Sequence, residues 1–532
     1  MIRLVCFSIF FTAAALAIQI ASGYSTDSYS GSGDIEDTPS PNEPIPKPEC
    51  DTSNPVSVRY SSTTGRLYVE TAGSTRGGCV TIDQIWEARG GGTDFGAKAP
   101  LYAVDPDSGD ISETITGTWL LFEDLYVEDG VTLRVWGSES GGLCDELRLK
   151  SNTIDTINTS VSNSSNIINL RAHGGSLDFE NTKVFGWDTV SNSYDDDESD
   201  GRSYISAVSE VLIDGMLGCE GTAKNEMGEA RMDVVSSEIA YIGYKDSESY
   251  GLTWKVRGFC KDKSNPEIFD YVGVYGNIYD SHLHHMNFAV YTYGHQGGDW
   301  RRNKVYSNSG YGFDPHDDSD YLTIHDNEVW DNHWHGIIAS KRCNNVSIQN
   351  NTVYGGDTTS AGIFLHRSSD YAIVKNNYVF SNGDAGMAML ESSNADISDN
   401  VFVGNKYGIR MSVGCANNTV YNNTFLDIAK YALYTYEGSD LPDVVATGYS
   451  QNNTYEGNIV MGSYQAIKLK ESDGSRLINN TFFSPGEIQW VNSSRNVVIG
   501  NVGLETADEI SVTEACFDET DEDPLAAYLC YV

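Results

Sequence analysis

An asparagine returns about every two dozen residues through the second half of this chain. The pattern Asn-x-[Val/Phe] begins at Asn303, Asn327, Asn351, Asn377, Asn400, Asn423, Asn458 and Asn480, with steps of 24, 24, 26, 23, 23, 35 and 22 residues. A glycine keeps pace at Gly312, Gly336, Gly362, Gly386 and Gly408, and the last four open the β-prone runs "GIIAS", "GIFLH", "GMAML" and "GIRMS". A period in this range marks a solenoid or array. Helical repeats would carry 3.6-residue periodicity over ten or more positions. Here short apolar runs are punctuated by Asn, Gly and Asp, which reads as strand and turn. The expected fold is all-β: a parallel β-helix of about 22–26 residues per coil, right-handed as parallel crossovers are. Coils would stack at about 4.8 Å, with the asparagines piled as an amide ladder in one corner.

Residues 80–300 share this texture with a looser period. They are expected to form irregular N-terminal coils of one helix spanning 50–504. The 35-residue step reads as a coil with an inserted loop, "GSDLPDVVATGYSQ". Residues 1–23 have the shape of a secretory signal: Arg3, an apolar run from Leu4 to Ile20, then small residues. Residues 24–49 are rich in Ser, Asp, Glu and Pro, too polar to bury a core, and read as a linker. An acidic tail covers 505–532.

The mature protein is therefore expected outside the cell, at the cell wall, as a soluble monomer. Nine cysteines follow the signal, and an oxidising compartment would pair up to eight of them and leave one over, with Cys516 and Cys530 in the tail the pair most expected. Nine Asn-x-Ser/Thr sequons occur, many falling on the repeat. No Cys-x-x-Cys occurs, so a zinc knuckle is not expected. His282 and His284 share a strand face without a firm third metal ligand. The net charge of −41 excludes a nucleic-acid partner. It also opposes other polyanions, except where salt shortens the Debye length to roughly 3 Å at 1 M and a groove is locally basic.

Stacked coils place equivalent residues in columns. With the glycine as zero, position +1 reads Phe313, Ile337, Ile363, Met387 and Ile409, and position +3 reads Pro315, Ala339, Leu365, Met389 and Met411. Both columns are apolar and should face inward, which sends +2 and +4 outward. One outer wall then carries Tyr311, Asp314, His316 and Asp317 from the stretch "YGFDPHD". His335, Lys341 and Arg342 lie one coil on, His366 and Arg367 two, and Arg410 four. Tyr291, Tyr293 and His295 come from the coil before. Nine of the ten histidines fall between residues 282 and 366, which points to a localised site.

The chain lacks a Gly-x-Ser-x-Gly elbow, a Walker loop and a dinucleotide fingerprint. Carboxylates with Tyr, His and Lys suit proton abstraction beside a carboxylate. A cation or acid must neutralise that carboxylate, a base must take the C5 proton, and an acid must return one. Expulsion of the 4-linked sugar from the same intermediate would make a lyase, and a non-catalytic wall-binding β-helix is the reading from another class.

"YGFDPHD" resembles the Tyr-Gly-[Phe/Ile]-Asp-Pro-His-[Asp/Glu] signature of mannuronan C5-epimerases. "YIGYKDSESYGL" (241–252), "HGIIASK" (335–341), "AGIFLHRSS" (361–369) and "VFGWD" (184–188) resemble the periplasmic alginate epimerases. The signal peptide, sequons and cysteines look more like a secreted algal relative. The resemblance implies a right-handed parallel β-helix that converts β-D-mannuronate to α-L-guluronate in polymeric alginate. It places Tyr311, Asp314 and His316 at the catalytic centre and Asp317 in the same motif. We assign His316 and Tyr311 as the acid and base, in either order, and Lys341 to the substrate carboxylate. The bacterial pattern has arginine at Lys341, so Arg342 stays an alternative. Tyr291, His295, His335, His366, Arg367 and Arg410 would line flanking subsites. The chemistry needs no cofactor. Calcium is left open, because the abundant Asp offers oxygen ligands.

Overall fold

In the computed structural model the described residues run from 47 to 504, with breaks at 48, 92–99, 152–166, 211–227, 247–248, 258–268, 270–271, 439–447 and 487. The expected signal, most of the linker, the tail with Cys516 and Cys530, Cys219, Cys260, and sequons Asn158 and Asn163 lie outside them.

Each repeat lays down three short strands. One coil contributes Ile337–Ser340, Ser347–Gln349 and Thr352–Tyr354. Strands of successive coils pair in parallel, 24 to 26 residues apart in these coils. Three long sheets result. One has fifteen strands, from Val56–Ser61 to Ile488–Val491, and one has fourteen. The third runs from Leu101–Val104 to Val502–Leu504 as an open line of pairings. The fold is a right-handed parallel β-helix.

The inward columns are as the alternation predicts. Phe313, Ile337, Ile363, Met387 and Ile409 are all buried, and Ala339, Leu365, Met389 and Met411 with them. At roughly 1.5–3 kcal/mol per large buried side chain, this stack supplies the driving force for adding coils. The repeating glycine has a packing cause. A Cβ on Gly336 would press on Val353 of its own coil and the Gly362 carbonyl of the next, and a Cβ on Gly312 on the Gly336 carbonyl.

The asparagine ladder is continuous. Asn303 Nδ2 donates to Asn327 Oδ1 at 3.0 Å, and the same bond repeats through Asn351, Asn377, Asn400, Asn423, Asn458, Asn480 and Asn501. The second Nδ2 hydrogen caps a carbonyl: Asn351 reaches Ile324 O at 2.8 Å. The 35-residue step keeps register, with Asn423 to Asn458 at 3.1 Å. Two further ladders lie outside the series read from the sequence, through Asn308 and Asn332 and through Asn418 and Asn453.

Seven sequon asparagines, Asn345, Asn350, Asn417, Asn422, Asn452, Asn479 and Asn492, have φ near +50° and are exposed. Asparagine tolerates that left-handed geometry better than most residues. Asn350, Asn422 and Asn479 each directly precede a buried ladder asparagine.

The helix Ile82–Ala88 follows a capping box at Thr81 and Gln84. It buries Ile82, Ile85 and Trp86, with Trp86 edge-on to Trp119 at 5.7 Å. Cys50 and Cys79 form a disulfide. The expectation that one cysteine alone stays unpaired is corrected: Cys144, Cys343 and Cys415 are free and buried, acting as small apolar fillers.

Candidate active site

The site sits on the outer face of the fifteen-stranded sheet. Pro315 has no N–H to give the ladder, so the strand Phe313–Asp314 stops after two residues. His316 rejoins as an isolated bridge to Ser340. The next residues enter a left-handed turn: Asp317, Lys341, Arg367 and Glu391, in one column, have φ of 34°, 62°, 53° and 51°. Such backbone costs roughly 1–2 kcal/mol per residue. Stacked turns bear it together, with Asp317 N on Ser340 O at 2.9 Å and Lys341 N on His366 O at 2.7 Å.

A cleft of about 350 Å³ opens here. Tyr291, Tyr311, Asp314, His316, His335 and His366 line it. The sequence argument missed the rest of its wall: Tyr250, Phe288, Trp334, Ile338, Ser340 and Phe364. Three of these were legible, since Ile338, Phe364 and Ser340 fall in the +2 and +4 columns. The outward direction of these columns needs one correction. Asp314, Ile338, Ser340 and Ala388 are buried, because walls of aromatic rings cover that face.

Asp314 is 1 % exposed, and its Oδ1 finds no hydrogen-bond partner among the described residues. Burial pushes its carboxyl up to about 7, with Asp317 adding to the rise and His316 and Lys341 opposing it. Tyr311 is pushed up to about 12 by burial and by Asp314, so it stays a phenol near neutrality. Its ring stacks on His335, centroids 5.5 Å apart. Burial, His366 and Arg410 push His335 down to about 4. Its Nδ1 accepts the Ala361 N–H at 2.9 Å, so the neutral ring carries its proton on Nε2. His366 Nδ1 lies 2.8 Å from Ser340 Oγ. Tyr291 is raised by burial and by Asp314 and Asp317.

His316 Nδ1 stands 2.5 Å from Asp317 Oδ2, and Arg342 Nη2 2.8 Å from Asp317 Oδ1. Arg342 also grips Asp318 through Nε at 3.0 Å and Nη2 at 2.8 Å. Burial raises Asp317, but His316, Lys341 and Arg342 outweigh it and the carboxyl ends below its ordinary value. The Nδ1 contact is an ion-pair approach without hydrogen-bond alignment; with Nδ1 against Asp317, Nε2 is the ring nitrogen left for a substrate.

Lys341 lies close enough to act on both Asp314 and Asp317, and among the described residues it pairs with no carboxylate. Arg342 is held by two. Arg367 lies 3.6 Å from Glu391 at the turn edge, and Arg410 3.1 Å from Asp384, four coils beyond Asp314.

His295 does not belong with them. It is fully buried between Trp254 and Trp300, and burial pushes its imidazole down to about 3. Its chain has already turned the corner into the core. The crowding of histidines is corrected too. His282 and His284 stand on the third sheet, His325 contacts Asp299 on the second, and His333 is exposed. A coil visits three faces, so nearness in sequence scatters side chains around the helix. Among the described residues no group of three His, Cys, Asp or Glu is placed to hold a metal ion, and no helix is long and apolar enough to cross a membrane.

The family model "Periplasmic copper-binding protein (NosD)" matches residues 264–438. A mannuronan C5-epimerase of Pseudomonas putida is 31% identical over 194 residues, 36% of each chain. The mannuronan C5-epimerase AlgG of Azotobacter vinelandii is 29% identical over 189 residues, 35% of this chain and 34% of its own. The chain thus spans about a third of the length of the curated relatives it matches. The crystal structure of the periplasmic alginate epimerase AlgG superposes with a TM-score of 0.54 at 18% identity, over 81% of this chain and 84% of that one. That likeness establishes the fold. The resemblance read from "YGFDPHD" is matched by curated relatives of that name.

Proposed function

We propose that the protein is a mannuronan C5-epimerase, exported from the cell, that inverts β-D-mannuronate to α-L-guluronate within polymeric alginate. One observation carries the reading: Tyr311, Asp314 and His316 line a single cleft, Asp317 meets His316 from behind, and Lys341, which among the described residues pairs with no carboxylate, acts on Asp314 and Asp317 from off the cleft wall.

In this reading the uronate carboxylate meets the Lys341 ammonium and the protonated Asp314, which together let charge build at C5. His316 Nε2 takes the C5 proton, and Asp317 steadies the imidazolium that forms. Tyr311, kept a phenol, returns a proton from the opposite face. The C5–H bond breaks and re-forms, the bond to O4 stays intact, and no redox partner is needed. His335, held neutral with its proton on Nε2, donates a hydrogen bond within the cleft.

The rival is β-elimination from the same intermediate, giving a lyase. Proton NMR of polymannuronate incubated with the protein in deuterated water separates the two. Inversion gives guluronate signals with deuterium at C5 and unchanged chain length. Unsaturated ends with chain shortening would replace the epimerase by a lyase. Running the reaction with and without a calcium chelator tests calcium dependence.

A further inference from the structure

Beyond Asp314, the outer face of the same sheet continues in register through Ile338, Phe364, Ala388, Arg410, Tyr434 and Lys468. At a coil rise of about 4.8 Å, Arg410 lies about 19 Å and Tyr434 about 24 Å along the axis. Ala388 is small and buried, so the floor between cleft and far end is low.

Around Tyr434 the surface changes character. Tyr434 stacks on Tyr436 at 4.9 Å and on Tyr407 at 5.4 Å, with Tyr431 tilted against it at 5.3 Å. Cations attend these rings. Lys406 and Lys430 lie over Tyr407 at 5.2 and 5.6 Å, Lys468 over Tyr431 at 5.5 Å, and Arg410 over Tyr436 at 5.8 Å. Among the described residues Lys430 and Lys468 pair with no carboxylate. Lys406 and Arg410 both pair with Asp384, at 3.0 and 3.1 Å, so the charge offered to a ligand rests on Lys430 and Lys468, in a chain with 75 acidic residues against 34 Lys and Arg. The side chains are mostly half-buried, and they suit one ligand chemistry. A pyranose lays its C–H face on an aromatic ring, and a uronate carboxylate meets an ammonium.

We propose that the Tyr407/Tyr431/Tyr434/Tyr436 platform with Lys468 and Arg410 is a remote binding strip for uronate residues of the polymer threaded through the cleft. It rests on the epimerase reading for its substrate. Its effect is on polymer length: only chains long enough to span the five coil steps from Asp314 to Tyr434 gain from it.

The test is KM for oligomannuronates from trisaccharide to polymer, with wild type, Tyr434→Ala/Lys468→Ala and Lys304→Ala. Lys304, exposed on the third sheet, controls for net charge. Wild type and Lys304→Ala should show KM falling with length. The double variant should lose that gain, its polymer KM rising about five- to thirty-fold, as the loss of one ring face and one half-buried ammonium implies. Lys468→Ala alone replaces it if the double variant fails to fold. Undiminished length dependence in the variant, or none in wild type, overturns the strip. If wild type inverts no C5 centre, the epimerase reading fails on its own. Calorimetric titration with polymannuronate then decides: weaker binding by the variant supports the strip, and equal binding overturns it.

Discussion

Asp317 holds His316 with one carboxylate oxygen and Arg342 with the other, at 2.5 and 2.8 Å. The three side chains come from two coils, so the imidazole is aimed by the stacking itself. We predict that Asp317→Asn lowers kcat about 10²–10⁴-fold, as loss of an orienting carboxylate does elsewhere. Initial rates by NMR check this, and circular dichroism should show the fold retained. A near-normal rate would remove Asp317 from the mechanism.

Lys341 and Arg342 are adjacent but serve different ends. Lys341→Met should cost about 10²–10³-fold in kcat/KM, as loss of a charge facing a developing carbanion, with little change in Tm. Arg342→Met removes an ion-pair partner from Asp317 and from the buried Asp318. It should destabilise by about 1–3 kcal/mol, seen as a lower Tm. The reverse pattern would hand the substrate carboxylate to Arg342.

In the proposed mechanism Asp314 works in its protonated form, and burial holds its carboxyl up to about 7. Activity should therefore fall as pH rises through about 7, and Asp314→Asn, which still donates a hydrogen bond, should lose that alkaline limb. Stability has the same sign. Between the ordinary value of 3.8 and about 7 the folded state keeps a proton that the unfolded state has lost, so stability declines across that window as pH rises. Melting curves at pH 4 and pH 8 should show Asp314→Asn gaining on wild type at the higher pH.

Asn351 donates to Ile324 O and Asn377 Oδ1, and accepts from the Asn327 side chain. Asn351→Ala leaves several buried groups unpaired. It should destabilise by about 3 kcal/mol or more, and calorimetric melting would show it. Asn350→Ala, on the exposed neighbour, should cost far less.

The coil architecture was readable because its causes are local and repeated. Gly336 and Gly362 recur where neighbouring coils leave no room for a Cβ, and the buried asparagines recur because each satisfies the next. The cleft was readable in part. Asp314 and His316 ride on strand alternation, which sequence states directly, whereas Tyr311, two residues before inward Phe313 and outside the strand Phe313–Asp314, was placed by the resemblance of its motif. His295 was misread because a corner separates it from Tyr293, and no periodicity announces where the chain turns inward. Arg342 and Lys341 could not be told apart, since their roles depend on Asp318, a partner one coil away. Tyr250 and Trp334 were missed because they lie off the glycine frame, in turns whose geometry only packing sets, and Phe288 because it opens the strand Phe288–Tyr293 in a coil before the regular repeat.

The coil between Asn423 and Asn458 is about a dozen residues longer than the one before it, yet the amide spine crosses it unbroken. Contour length and registry are thus decoupled in this scaffold. A lineage can lengthen, shorten or replace what hangs between two spine contacts without disturbing the layers on either side. What joins one layer to the next is then free to diversify at its own pace, while the layers that hold the imidazole stay put.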